Sequence, residues 1–309
     1  MQNYAAYFLN KAIASGWDQE HEQEVVDWFK RDLQKMAEAA RAHGVRMILC
    51  TVASDLRDSA PSGSYHSEGL AAEDLGKWDT LFRAGKDAYA RVDYAAAHGH
   101  FKRAIKLDPA PAELNFCMGH CLLKLRRAGE AYPYFQAAVD RDAVRNRAGS
   151  DINAAIREVA LANQIPLADV ERAFRERAVD GVPGDELFLD YVHPSLEGHE
   201  IIAKLLIHTM IEQGWAEPET EEEMDRAAAD YLDKANDDYL FASYYKAASY
   251  NAALGRFLHA RKWVDEALKL SPRDPDALKM KQCLTAIISL EGRDRDMPWA
   301  EVELVRGRE

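Results

Sequence analysis

The sequence predicts a mainly α protein that carries a smaller parallel α/β part. Three observations predict it. Gly85 and Gly119, Ala97 and Ala131, Phe101 and Phe135, and Ala104 and Ala138 are each 34 residues apart. A helical-hairpin repeat has this pattern, because small residues let two helices approach and a ring fills the gap between them. The run Val45-Arg46-Met47-Ile48-Leu49-Cys50-Thr51-Val52 is nearly continuously apolar, the mark of a strand covered on both faces in a parallel sheet. Most of the remaining chain places apolar residues at helical intervals.

Composition sets the bounds. A chain of 309 residues suggests about two domains. With 48% apolar and 29% charged residues it is a globular protein with material for a real core. A net charge of −13 excludes nucleic acid as a general partner, since phosphate would be repelled. No stretch approaches the roughly 18 apolar residues of a membrane span, and no basic-then-apolar leader opens the chain. Cys50, Cys117, Cys121 and Cys283 lack disulfide spacing, so a reducing, cytoplasmic location is expected.

Taken in order, residues 1–44 read as helical, with Val25, Val26, Phe29, Leu33, Met36 and Ala37 on the apolar stripe and Gly44 as the stop. The first strand follows over 45–52. Ser54 to Pro61 leaves its carboxyl end as a loop, on the edge where open α/β sheets place ligands. Residues 78–145 read as two repeats of the tetratricopeptide type, and Leu107-Asp108-Pro109 closes the first. A helix over about 150–163 leads to a second strand, Ile165 to Val170, which runs into another helix ending near Arg177. Acidic residues gather from Glu217 to Glu223, a solvated linker into a helix. Tyr244, Ala248, Ala260, Val264, Ala267 and Pro272 have the spacing of a third repeat, with Ala248 where Gly is commoner. Residues 276–290 would cap the stack, and the charged stretch from Glu291 would fray.

The chemistry is concentrated in Asp190-Tyr191-Val192-His193-Pro194, followed by Gly198-His199 and the aliphatic helix Glu200-Ile201-Ile202-Ala203-Lys204-Leu205-Leu206. An Asp three residues before a His can reach the same imidazole across one tight turn. There it fixes the tautomer and stabilises the imidazolium, as a general base acting on serine requires. The alternative is a surface turn with a helix-capping Asp.

This D-x-x-H-P-x3-G-H-x-x-I-A pattern resembles the last conserved block of the SGNH (GDSL) hydrolases. Asp55-Leu56-Arg57-Asp58 is similar to the Asn-Leu-Arg-Asp segment of their bacterial subgroup with inserted tetratricopeptide repeats, with Asp replacing Asn. The resemblance covers residues 5–275. It implies a partial, three-layer, flavodoxin-like parallel α/β domain over 1–65 and 146–215, with repeats inserted over 66–145. A helical repeat region over 216–309 would complete an α-α superhelix. It implies an ester hydrolase with catalytic His193 and Asp190, no cofactor and no metal. The family's Gly-Asp-Ser and Gly-x-Asn-Asp segments have no counterpart here. The nucleophile and oxyanion donors would come from an upstream segment or a partner that completes the sheet. A two-stranded sheet with an open edge points the same way.

Other constellations have structural readings. Asp58-Ser59 lacks the Gly and reads as a turn. His98-Gly99-His100 lies on a solvated repeat helix. Cys117, His120 and Cys121 share one helix face and could hold zinc, but fall where repeats pack small residues. His199 would pack or cap. Tyr239, Tyr244, Tyr245 and Tyr250 read as repeat core and groove lining. The rival function is a non-catalytic repeat scaffold that binds a protein or peptide in its groove.

Overall fold

The structure is a computed structural model and describes residues 19–217, 219–234, 237–253 and 255–290. The predicted helical start before residue 19 and the charged stretch from Glu291 lie outside the described residues. Among the described residues, 12 helices accompany one two-stranded parallel sheet. They fall into two compact units that divide near residue 217.

In the first unit, α1 (Gln19–Ala42) buries Val26, Leu33 and Ala37 on one stripe. Gly44, at φ 64°, ends it in a left-handed turn, with the Val45 N–H returning to the Ala40 carbonyl at 2.8 Å. Leu33 and Ala37 pack with Leu49 and with Ile156, Val159 and Ala160 of α6 (Ser150–Asn163). That cluster covers one side of the sheet.

The sheet pairs β1 (Leu49–Cys50) with β2 (Leu167–Ala168), Leu49 opposite Leu167. Both are parallel strands in the expected places, but shorter than the apolar runs that announced them. Three features limit the ladder. Asp169 follows β2 at once and caps α7 (Val170–Arg177), accepting from the Arg172 N–H at 3.3 Å and the Thr51 hydroxyl at 2.9 Å. The Val52 main chain is taken up by the Asn153 amide, at 2.7 Å and 2.9 Å. Val45 and Val52 are exposed, so the run is not covered on both faces over its whole length.

Two helical hairpins follow: α2 (Ala72–Ala90) with α3 (Tyr94–Leu107), and α4 (Ala112–Lys124) with α5 (Ala128–Asp140). The first hairpin starts at Ala72, ahead of the repeat start expected at 78. The period has a direct cause. Phe101 and Phe135 are fully buried, and a Cβ on Gly85 would lie 2.4 Å from the Phe101 ring, one on Gly119 2.8 Å from the Phe135 ring. Only glycine leaves room for each ring. The turns repeat as well: Val92 (φ 66°) and Arg126 (φ 59°), also 34 residues apart, are both left-handed. α8 (Leu196–Glu212) closes the unit, laying Ile201, Ile202 and Leu205 on Val170, Phe174, Leu187 and Phe188.

The second unit contains α9 (Glu221–Lys234), α10 (Asp237–Ala253), α11 (Phe257–Leu270) and α12 (Pro275–Leu290). Ala248, Ala260, Val264 and Ala267 are fully buried, and Tyr244 stacks on Trp263 at 5.5 Å. In the hairpin of α10 and α11, Ala248 and Val264 stand 16 residues apart, as Gly85 and Phe101 do. Its turn carries Gly255 at φ 80°. α12 buries Ala277, Leu284 and Ile288.

Candidate active site

The apolar lead-in Leu187-Phe188-Leu189 doubles back on itself. The Leu189 N–H donates to the His193 carbonyl at 2.8 Å, the Ser195 N–H to the Leu187 carbonyl at 2.8 Å, and Phe188 bridges Pro194. Asp190 to His193 form the tip. Asp190 holds that tip together: Oδ1 accepts from the Val192 and His193 N–H groups at 2.8 Å each, and Oδ2 lies 2.7 Å from His193 Nδ1. A side-chain turn of this kind is what Asp favours. Gly198 lets the following helix close in, since a Cβ there would sit 2.6 Å from the Leu187 carbonyl.

The two side chains differ in setting. Asp190 is 9% exposed at its side chain and His193 73%. The carboxylate is shielded behind the ring and the ring faces outward. With Nδ1–H donating to Asp190, the neutral imidazole keeps its lone pair on Nε2, the arrangement of a general base.

The pair stands at the carboxyl end of β1. The loop leaving that strand brings the Asp55 N–H to the Tyr191 carbonyl at 3.1 Å. Asp55 is buried and organises its own loop, accepting from the Asp58 N–H at 2.8 Å and the Ser59 hydroxyl at 2.7 Å. The Ser59 hydroxyl is thus committed to a carboxylate, as befits a turn residue. Leu56 and Arg57 both donate their N–H groups to the Pro183 carbonyl at 3.0 Å. The Arg57 guanidinium binds Asp58 at 2.8 Å and also Glu186, with Asp185 at 3.7 Å. Burial opposes its charge, but Asp58 and Glu186 outweigh that and raise its pKa. Gly184 lies against both groups, and a Cβ there would displace the Arg57 and Asp58 side-chain ends. Asp58, Asp185 and Glu186 are the carboxylates that come together here, and Arg57 supplies the positive charge among them.

The remaining sequence candidates take structural places. Cys121 donates its thiol to the Tyr94 carbonyl at 3.1 Å, and burial pushes its pKa up to about 12. His120 points elsewhere, with Nε2 2.8 Å from the Arg57 carbonyl and its ring edge-on to Phe116 and Phe135. Cys117, His120 and Cys121 therefore do not converge on a common point. His98 lies 3.3 Å from Arg127, and burial followed by that guanidinium lowers its pKa. His199 joins the first turn of α8 through its N–H to Ser195. Tyr244 is half-buried against Trp263, while Tyr239 and Tyr250 are exposed.

Sequence reasoning missed Arg147, which donates Nη1 to the carbonyls of Asp55 and Ser59 at 2.8 Å each. Nothing local marks these main-chain partners, which lie far back along the chain. Among the described residues no helix is long and apolar enough to cross a membrane. Compared with protein-family models and with curated proteins, the chain matches none.

Proposed function

We propose that this chain is the carboxyl-terminal part of an SGNH-type ester hydrolase. His193 is the general base and Asp190 its orienting partner. The observation that carries the reading is the triple engagement of the Asp190 carboxylate, which pins the turn and the imidazole together. In the reaction, His193 Nε2 takes the proton from a serine hydroxyl as its oxygen attacks the ester carbonyl. The imidazolium, stabilised by Asp190, then returns that proton to the leaving alcohol, and water repeats the cycle on the acyl-enzyme. The chemistry calls for no cofactor. The serine belongs to an upstream segment or partner, which is consistent with the Ser59 and Ser195 hydroxyls being bonded to Asp55 and to the Glu186 carbonyl.

The test is p-nitrophenyl acetate turnover, with a serine-directed phosphonate as a second probe. The purified chain alone should show no enzymatic rate. Co-expression with the polypeptide encoded immediately upstream should confer turnover, and His193→Ala should reduce it by about 10²–10⁴-fold. Turnover indifferent to His193 would overturn the assignment. A second reading, a repeat scaffold that binds a protein or peptide, is favoured by the exposed Tyr239 and Tyr250 of α10. It gains if the co-expressed pair stays inactive.

A further inference from the structure

The 34-residue period extends to a pair of carboxylates, one at the end of each hairpin. Asp108 and Asp142 occupy equivalent positions, and both are buried. Each ends its repeat in the same way: Asp108 accepts from the Ala110 N–H at 3.0 Å, and Asp142 from the Val144 N–H at 3.1 Å. Each also reaches out to one segment, residues 62–67, which continues the loop beside the candidate site. Asp142 accepts the N–H groups of Ser62, at 2.9 Å, and Gly63, at 3.0 Å. Asp108 accepts the Ser67 N–H at 3.2 Å, the Ser67 hydroxyl at 2.6 Å and His66 Nδ1 at 2.8 Å. Between these anchors, the Ser64 hydroxyl receives the Glu113 N–H from the first turn of α4 at 2.8 Å.

The same surface holds the loop nearer the site. His120 of α4 lies 2.8 Å from the Arg57 carbonyl. Arg147 joins the Asp55 and Ser59 carbonyls and pairs through Nη2 with Asp142 at 3.4 Å. Pro111, just before α4, and every residue of α4 up to Gly119 are buried. A surface loop ordinarily satisfies its main chain with water. Here two symmetry-related carboxylates and a buried guanidinium do so instead, which makes a seat.

We propose that the first two repeats take the chain's own segment 55–67 as their ligand, and that Asp142 and Arg147 are positioning residues for the loop bonded to the Asp190–His193 turn. The seat stands independently of the hydrolase reading, and only its consequence for catalysis rests on that reading.

Amide hydrogen exchange on the whole chain tests the seat, and the ¹⁵N signature of the His193 ring tests its reach. In the wild type, the amides of Asp55, Ser62, Gly63 and Ser67 should be protected. Asp142→Ala should speed exchange at Ser62, Gly63 and Asp55 by about tenfold or more, as the loss of buried charge-assisted bonds implies. Phe101 and Phe135 should keep their protection. Arg147→Met should free Asp55 and blur the single His193 tautomer, and Arg147→Lys should restore part of both. Should Asp142→Ala unfold the unit, Arg147→Met is read at the same amides, because it leaves the Asp142 caps in place. The proposal is overturned if Ser62 and Gly63 are freed while Asp55 and the His193 ring are unmoved. It is equally overturned if Arg147→Met changes neither. None of these signals needs ester turnover, so an inactive enzyme and an absent seat give different results.

Discussion

Asp108 and Asp190 each bind the Nδ1 of a histidine and main-chain N–H groups, yet their surroundings assign them different work. His66 lies edge-on to Trp78 at 4.6 Å and is two-thirds covered, whereas His193 stands open. Asp108 is thus enclosed with its histidine, whereas Asp190 would orient His193 in the proposed hydrolase. Burial pushes the Asp108 carboxyl up, but hydrogen bonds from Ser67, Ala110 and His66 outweigh it and hold its pKa below the usual range. A depressed carboxylate contributes stability that is present above its unfolded pKa of about 3.9 and is lost as pH falls through the lower folded value. Burial raises Asp142 instead, which gives the opposite sign. Urea melts between pH 6 and 3 should show that Asp108→Asn reduces the acid-induced loss of stability and that Asp142→Asn does not. Equal effects of the two would contradict the assignment. The D-x-x-H-P turn was legible because its partners lie three residues apart. Asp142 and Arg147 were not, since they reach main-chain groups 79 to 92 residues away.

Elements show where sequence spacing is decisive and where it falls short. The Gly85–Phe101 and Gly119–Phe135 pairs were legible because one shape constraint recurs at one period. Phe135→Ala should cost about 3–5 kcal/mol as a fully buried truncation, and a measured loss under about 1 kcal/mol would refute burial there. Gly85→Ala should cost about 1–3 kcal/mol by overpacking against the Phe101 ring, and more than Gly119→Ala, where the approach is longer. The turns make a prediction of opposite sign. Val92 is a β-branched residue held at φ 66°, exposed, and equivalent in position to Gly255. Val92→Gly should stabilise the chain by roughly 0.5–1 kcal/mol, the relief of left-handed strain less the added chain entropy. A destabilising result in a denaturant melt would show that the side chain packs after all. Strand length was the less legible quantity. The apolar runs identify the strands, but each ladder ends where Asp169 and Asn153 take over the main chain.

At the scale of the molecule, the first unit joins segments remote in sequence around one imidazole. The loop after β1, the two hairpins and the turn at 190–193 meet through Asp55, Arg147 and Tyr191. The family resemblance pointed to the first and last of these, because their motifs are contiguous. The link through the repeats lay beyond it, since it exists only in three dimensions. The central claim is that this assembly holds His193 as a base, with its proton on Nδ1 and its lone pair on Nε2. The ¹⁵N spectrum of the labelled imidazole at alkaline pH reads that directly. The account predicts a protonated Nδ1 and an unprotonated Nε2, with Asp190→Asn moving the ring toward a mixture of tautomers. A mixed or Nε2-protonated ring in the wild type, unchanged by Asp190→Asn, would contradict it.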